Sequence, residues 1–405
     1  MSHEPLVSLP ALLSDLTDHA EAIRAFRRDL HAHPELSFEE ERTSDRIAHA
    51  LRSWGIEVHT GLGKTGLVGV IQGRPGKRSI GLRADMDALP ITERNTFPHA
   101  SRFHGRMHAC GHDGHVAMLL AAAQYLAAHR DFDGTVNLVF QPAEEGGGGA
   151  AAMMRDGLFD RFPMDAIFGM HNWPGLRVGE LAVKPGPCFA SSNEFCIVVK
   201  GKGAHAAMPH LGVDPIPVAC QMVLGFQTIL TRNVRPIDTG VISVTMIEAG
   251  EATNVVPDYV TIQGTVRTFT PDVLDLIEER MRALAEHTCA AFGATCEFEF
   301  NRNYPATINH DDEAAFVRDV MTEVAGADKV LDFEPTMGAE DFSFYLQAKP
   351  GAYFVIGNGD GLHRTSGHGL GPCTLHNPSY DFNDELIPLG AALWVRLAQR
   401  WLASS

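Results

Sequence analysis

A chain of 405 residues is long enough for two domains, each with its own core. With 45% hydrophobic and 20% charged residues the composition is that of an ordinary soluble globular protein, and a formal net charge of −17 argues against a nucleic-acid partner, which would need a basic face. The most apolar stretches, such as Val116 to Ala128, fall short of the roughly 20 residues of a membrane span, and the opening MSHEPLVSLP has neither the basic nor the apolar region of a secretory signal.

Along the chain, Ala20 to Leu30 and Glu40 to Trp54 carry helical periodicity. Leu67 to Ile71 and Ile80 to Asp85 read as strands, followed by a long helix from His115 to His129. Thr135 to Gln141 and Ala166 to Met170 are short, nearly continuous apolar runs, as expected of strands buried on both faces of a mostly parallel sheet. This alternation predicts an α/β domain, in which ligands bind beyond the carboxyl ends of the strands. Asp85, Asp87, Glu144, Glu145 and His171 are expected at those ends.

The pattern then changes. Asn193 to Val199, Val241 to Glu248, Tyr259 to Val266 and Thr295 to Phe300 read as strands, and Pro215 to Leu230 and Pro271 to Phe292 as helices. The order βαββαβ is that of a ferredoxin-like domain. Val317 to Ala325 (helix), Ala352 to Ile356 (strand) and Leu386 to Leu402 (helix) return the chain to its first domain. The expected division is therefore 1–187 with 304–405, and an inserted domain at 188–303. Seven cysteines, an odd number widely scattered, read as the reduced thiols of a cytoplasmic protein.

The densest chemistry lies in Met107-His-Ala-Cys-Gly-His-Asp-Gly-His115. Thiolate and neutral imidazole are preferred ligands of zinc and similar metals, and one intervening residue lets Cys110 and His112 turn toward the same place. Alone, the pair reads equally as packing, and His108 and His115 read as supporting residues. Glu144 and Glu145 follow a buried strand; two adjacent carboxylates repel unless cations offset them, although an isolated pair is also an ordinary acidic turn. His171 ends another apolar run and His376 lies in the loop Leu375-His-Asn-Pro378. Their joint placement points to a metal site. A Cys-His nucleophile at 110 and 112 would leave the other groups without a role, and no phosphate-binding loop, nucleophile elbow or dinucleotide fingerprint is present.

Together these segments resemble the M20 metallopeptidase family, in its amidohydrolase branch of hippurate hydrolases, N-acyl-amino-acid amidohydrolases and auxin-conjugate hydrolases. The resemblance runs through nearly the whole chain: Arg27-Arg-Asp-Leu-His-Ala-His-Pro-Glu35, Leu82-Arg-Ala-Asp-Met-Asp-Ala-Leu-Pro90, the Cys110 segment, Gln141-Pro-Ala-Glu-Glu-Gly146, Gly169-Met-His171, Gly203-Ala-His-Ala-Ala-Met-Pro209, Asn254-Val-Val-Pro257, Gly338-Ala-Glu-Asp-Phe342 and Leu375-His-Asn-Pro378. It implies a zinc-peptidase-like catalytic domain with an inserted lid or dimerisation domain. Cys110, His112, Glu145, His171 and His376 would hold two divalent ions (zinc, manganese, cobalt or nickel), with Glu144 as catalytic base. Where many members have a histidine-aspartate segment, this chain has Asp85-Met-Asp87, so Asp87 stands as the supporting aspartate and Cys110 as the branch's replacement ligand.

The resemblance further implies a homodimer in which His205 stabilises the oxyanion in the partner's site, while Asn254 and Arg267 hold the substrate carboxylate. The expected reaction is hydrolysis of N-acyl-L-amino acids. The alternatives are a dipeptidase, a deacetylase of the N-acetyl-diaminopimelate type, or a catalytically silent metal- or ligand-binding relative.

Overall fold

The computed structural model describes residues 7–403. Contacts divide the chain into two compact units: one runs through Gly186 and resumes at Asn309–Glu334 and from Phe344 onward, and the other comprises Pro187–Ile308 with Pro335–Ser343. The second unit thus ends beyond the expected residue 303 and gains a segment from what reads in sequence as the returning catalytic domain.

The first unit is built on an eight-stranded sheet in the order Glu57–Leu62, Gly66–Gln72, Asp133–Gln141, Arg74–Asp85, Ala166–Pro174, Gly351–Gly359, Leu181–Val183, Val330–Asp332. The four central strands are mutually parallel, and antiparallel pairing is confined to the flanks. The central strands are buried on both faces, which is why they read as continuous apolar runs rather than as alternation.

The helices His112–Ala128 and Leu386–Ala403 pack on each other and on this sheet. Both are buried along nearly their whole length. Leu119, Leu120 and Leu126 are fully enclosed, each contributing about 1.5–3 kcal/mol by leaving water. The first of these helices begins at His112 rather than His115, because Gly111 at φ 91° ends the preceding loop in a left-handed turn. His112 is therefore anchored to a core helix. His171, expected at a strand end, instead lies inside the strand Ala166–Pro174 opposite Val355.

The second unit has a four-stranded antiparallel sheet in the order Gly240–Ala249, Tyr259–Thr268, Ser192–Lys200, Thr295–Tyr304. The helices Pro215–Arg232 and Pro271–Ala291 cover it, giving the ferredoxin-like arrangement. Alternate residues Phe195, Ile197 and Val199 meet Met222, Phe226, Ile277 and Met281 in a separate core. Pro215 opens its helix where no backbone donor is needed, and Asp214 caps it by accepting from Ile216 N–H at 3.0 Å.

A buried ionic cluster fixes the start of helix His112–Ala128. Arg27, fully enclosed on helix Ala20–Ala32, donates to Asp113 at 3.2 Å, Asp381 at 3.0 Å and Asp384 at 2.8 Å. His31, one turn on, bonds Asp113 at 2.9 Å and Glu93 at 3.3 Å. Burial by itself would push this imidazole down, but Asp113 and Glu93 outweigh it and raise its pKa to about 10. A raised pKa favours the folded state most where the unfolded chain is already protonated, and the benefit is lost as pH climbs through the folded value. The stability difference between wild type and His31→Gln should therefore be largest at pH 6.5 and below and fade toward pH 10, read from urea midpoints; a difference independent of pH would contradict it.

Candidate metal centre

Five separate segments deliver the site. Strand Arg74–Asp85 leads into Asp87; the turn at Gly111 presents Cys110 and His112; strand Asp133–Gln141 leads through Pro142 and Ala143 to Glu144 and Glu145; and strand Ala166–Pro174 carries His171. The loop holding His376 is tied in by its own N–H, which donates to Ala109 O at 2.8 Å. Ala143 (φ 53°) and His376 (φ 60°) are two of four non-glycine residues in the left-handed region among the described residues, and each flanks or is a candidate ligand.

The donor atoms gather in three overlapping groups, each within 4.8 Å: Cys110, His112 and His171; Cys110, Glu145 and His376; and His112, Glu144 and Glu145. All five expected ligands and the expected base are thus brought together, with Cys110 common to two of the groups. Cys110 Sγ is 3.3 Å from His171 Nε2, and Glu145 Oε1 is 3.2 Å from His376 Nε2 and 4.0 Å from His112 Nε2. The Glu145–His376 approach is close but not aligned as a hydrogen bond: Glu145 Oε1 and His112 Nε2 are both buried with no hydrogen-bond partner. Buried polar atoms that face one another without bonding fit a cation between them.

The electrostatics agree. Burial, followed by Glu145 and Glu144, pushes the Cys110 thiol well above its ordinary value, so a thiolate here needs a cation beside it. Burial, then His115, pushes His171 well below its usual range; its Nδ1–H donates to Asn172 O at 2.5 Å, which leaves the lone pair of Nε2 facing Cys110 Sγ. For His112 burial lowers the pKa, but Asp85, Asp87 and Glu145 raise it to about 10, so a proton and a metal compete for the same Nε2.

Asp87 decides which nitrogen is available. His112 Nδ1 lies 3.0 Å from Asp87 O and 3.2 Å from Asp87 Oδ1, so its proton sits there and Nε2 faces the centre. Asp87 Oδ2 also accepts from Ser37 Oγ at 2.8 Å and Glu145 N–H at 3.0 Å. Burial opposes ionisation of Asp87, yet these bonds, led by His112, hold it below its usual value.

His115 and His108 are expected as supporting residues, whereas Arg83, Asn172 and Tyr380 are not evident in the sequence. His115 donates from Nδ1 to Asp85 at 2.6 Å and accepts at Nε2 from Asn172 N–H at 2.9 Å, so neither nitrogen is left for a metal. Asp85 in turn accepts from Arg83 at 2.6 Å. Asn172 Nδ2 donates to Cys110 O at 2.7 Å, and its Oδ1 accepts from Tyr380 Oη at 2.7 Å, which joins the Cys110, His171 and His376 segments. A side chain on Gly111 would meet both Asn172 Nδ2 (2.3 Å) and Tyr380 Oη (2.4 Å). His108 is buried and, pushed down to about 4 by burial, stays neutral outside the ligand groups.

The remaining candidates lie in the second unit. His205 and Asn254 are neighbours: His205 pairs with Val255 across a two-stranded ribbon, and its Nδ1 accepts from Ala207 N–H at 3.0 Å, leaving the proton on Nε2. Arg267 is half-buried near the far end of strand Tyr259–Thr268 and donates to Thr265 Oγ1 at 2.7 Å. The ribbon adjoins the Tyr259 end, since Val255–Val256 precedes that strand and Gly203 N–H donates to Asp258, and eight residues of strand span roughly 26 Å. Asn254 and Arg267, expected to hold one carboxylate together, are therefore not brought together within a chain.

A model of the peptidase family M20/M25/M40 matches residues 81–400. The chain is 38% identical over 395 residues to hippurate hydrolase of Campylobacter jejuni, covering 96% of this chain and 99% of that protein. It is 39% identical over 380 residues to N-acetyl-L-cysteine deacetylase of Bacillus subtilis, covering 94% and 88%. The crystal structure of a dinuclear metal-binding peptidase from Bacillus subtilis is similar, with a TM-score of 0.83 at 34% identity, covering 96% of this chain and 99% of that one.

Asp87→Asn keeps the shape but can present an amide N–H to His112 Nδ1 and so disfavours the ligand tautomer. Metal affinity is expected to fall about 10–100-fold, measured by titrating metal-free protein with zinc against a chromophoric indicator; an unchanged affinity would remove Asp87 from this role.

Proposed function

The chain belongs to the peptidase family M20/M25/M40, and from that premise we propose that it uses two divalent ions to hydrolyse N-acyl-L-amino acids to a carboxylic acid and a free amino acid. It is a hydrolase of amide bonds. The substrates named in its two curated relatives, hippurate and N-acetyl-L-cysteine, are both an acyl group on the amino nitrogen of an amino acid. The observation that carries the proposal is the pair of ligand groups sharing Cys110, with Glu144 beside the ligand Glu145.

Cys110, His112 and His171 would hold one ion and Cys110, Glu145 and His376 the other, a mixed sulfur, nitrogen and oxygen set suited to zinc, cobalt, nickel or manganese. Such ions, when bound, bring the pKa of water toward neutrality and polarise a carbonyl. Glu144 takes a proton from the attacking water as its oxygen bonds the acyl carbon, then returns it to the amine nitrogen as the C–N bond breaks. Asp87 keeps His112 in its ligand tautomer throughout. His205, with its proton on Nε2, donates to the developing oxyanion in a partner subunit's site.

We assign the substrate carboxylate to Arg267 of one subunit and Asn254 of the other, since one chain does not bring the two together. The second unit, 188–303 in its sequence-based bounds, then acts as the dimerisation lid. A cytoplasmic location is supported by seven cysteines without a disulfide, and no helix among the described residues is long and apolar enough to cross a membrane.

The test is an assay of chelator-treated protein restored with each metal, using N-benzoyl-, N-acetyl- and indoleacetyl-amino acids. Release of free amino acid that is lost with chelator and regained with metal is expected. Glu144→Ala should keep its metal and lose about 10²–10⁴-fold in kcat; retained turnover would end the assignment of the base. Cys110→Ser should lower the content of both ions by elemental analysis, because its thiolate serves both groups. Loss of only one ion would show that Cys110 is not shared.

A further inference from the structure

Ala143 is an alanine held at φ 53°, a conformation that costs any residue with a Cβ, immediately before Glu144 and Glu145. The turn around it is tight. A Cβ on Gly149 would meet Pro142 O at 1.7 Å, and one on Gly147 would meet the Ala143 Cβ at 2.6 Å. Something must hold Ala143 in place, and the bond that does so comes from a residue about a hundred positions away. Glu40 is fully buried; its Oε1 accepts from Ala143 N–H at 2.8 Å and its Oε2 from Thr65 Oγ1 at 2.6 Å.

Glu40 stands at the N-cap position of helix Glu41–Ser53, where a side-chain oxygen ordinarily accepts from the helix's first free N–H groups. It makes no such bond. Glu35 does that work instead, accepting from Arg42 N–H at 3.1 Å and Thr43 N–H at 2.8 Å. The buried Glu40 carboxylate is thus released from the helix and committed to the turn.

We propose that Glu40 is a positioning residue of the reaction, which holds Ala143 in its left-handed conformation and so aims Glu144 and Glu145 into the centre. This rests on the reading of Glu144 as base and Glu145 as ligand. Glu40 is too occupied by Ala143 and Thr65 to move a proton for the substrate, and it belongs to none of the ligand groups.

The experiment compares wild type, Glu40→Ala, Glu40→Gln, Ala143→Gly and the double variant Glu40→Ala with Ala143→Gly. Each is measured for kcat, KM, manganese affinity of the metal-free protein by calorimetry, and Tm. Glu40→Ala should lose about 10–10²-fold in kcat with a smaller change in KM, since misplacing a reacting group by about 1 Å costs that much. Its manganese affinity should fall as well, because Glu145 moves with the turn. Glu40→Gln should recover most of both, as its amide oxygen still accepts from Ala143 and Thr65 can accept from its nitrogen.

The decisive arm is the double variant. Glycine takes φ 53° without a penalty, so it should recover part of the kcat lost in Glu40→Ala. A residue that merely stabilised the fold would give no such recovery. If Glu40→Ala does not fold, Glu40→Asp, one methylene short of Ala143, should show the same loss and the same recovery. A double variant no better than its Glu40 parent, or an unchanged kcat in Glu40→Ala, overturns the proposal. Wild type with no chelator-sensitive hydrolysis would instead overturn the function on which it rests.

Discussion

Five candidate ligand atoms from four segments face one small volume, where Cys110 Sγ lies 3.3 Å from His171 Nε2 and Glu145 Oε1 3.2 Å from His376 Nε2. A thiol, three imidazoles and a carboxylate would ordinarily satisfy themselves with neighbours, and a buried polar atom left unsatisfied costs about 1–3 kcal/mol. The surrounding structure limits such satisfaction. Asp87 takes the far nitrogen of His112, Asn172 O takes the far nitrogen of His171, and Asp85 with Asn172 consumes both nitrogens of His115. The outer bonds of His112 and His171 turn their inner nitrogens toward the centre, where that of His112 has no hydrogen-bond partner and that of His171 meets Cys110 Sγ, and the carboxylates around them make that centre attractive to a cation.

Much of this was legible in the sequence. The central strands announce themselves as apolar runs, since a parallel strand covered on both faces has no polar side to show. The ligand types were legible too, because thiol, imidazole and paired carboxylates are scarce at the ends of such strands. The supporting bonds were not. Glu40 with Ala143, Asn172 with Tyr380 and Arg27 with Asp381 join positions one hundred to more than three hundred residues apart, and nothing local marks either partner. The same holds for the three-residue strands Leu181–Val183 and Val330–Asp332, which exist only through their non-local pairing. Two errors of placement had local causes. The onset of the helix at His112 depends on a glycine φ that composition does not reveal, and the apolar run ends at Met170 while the strand continues through His171.

The second unit followed its pattern closely because its two central strands, Ser192–Lys200 and Tyr259–Thr268, alternate between a buried face and an open one. Its candidate site residues did not. A family motif names Asn254 and Arg267 without saying that one precedes strand Tyr259–Thr268 while the other sits near its end. Order along a chain carries residue identity well and distance poorly, and a carboxylate needs both partners within a few ångströms.

Helix His112–Ala128 has a consequence for how the protein fails. It is apolar on nearly every side and lies in the middle of the first unit's core, yet its first residue, His112, is a candidate ligand. Regions that open at low free energy are those with few buried contacts, and this helix is the reverse. Fraying of the termini or loops would leave His112 where it is. Amide protons along the helix should be among the last to exchange, so mild heat or denaturant would spare this part of the centre until the whole unit gives way.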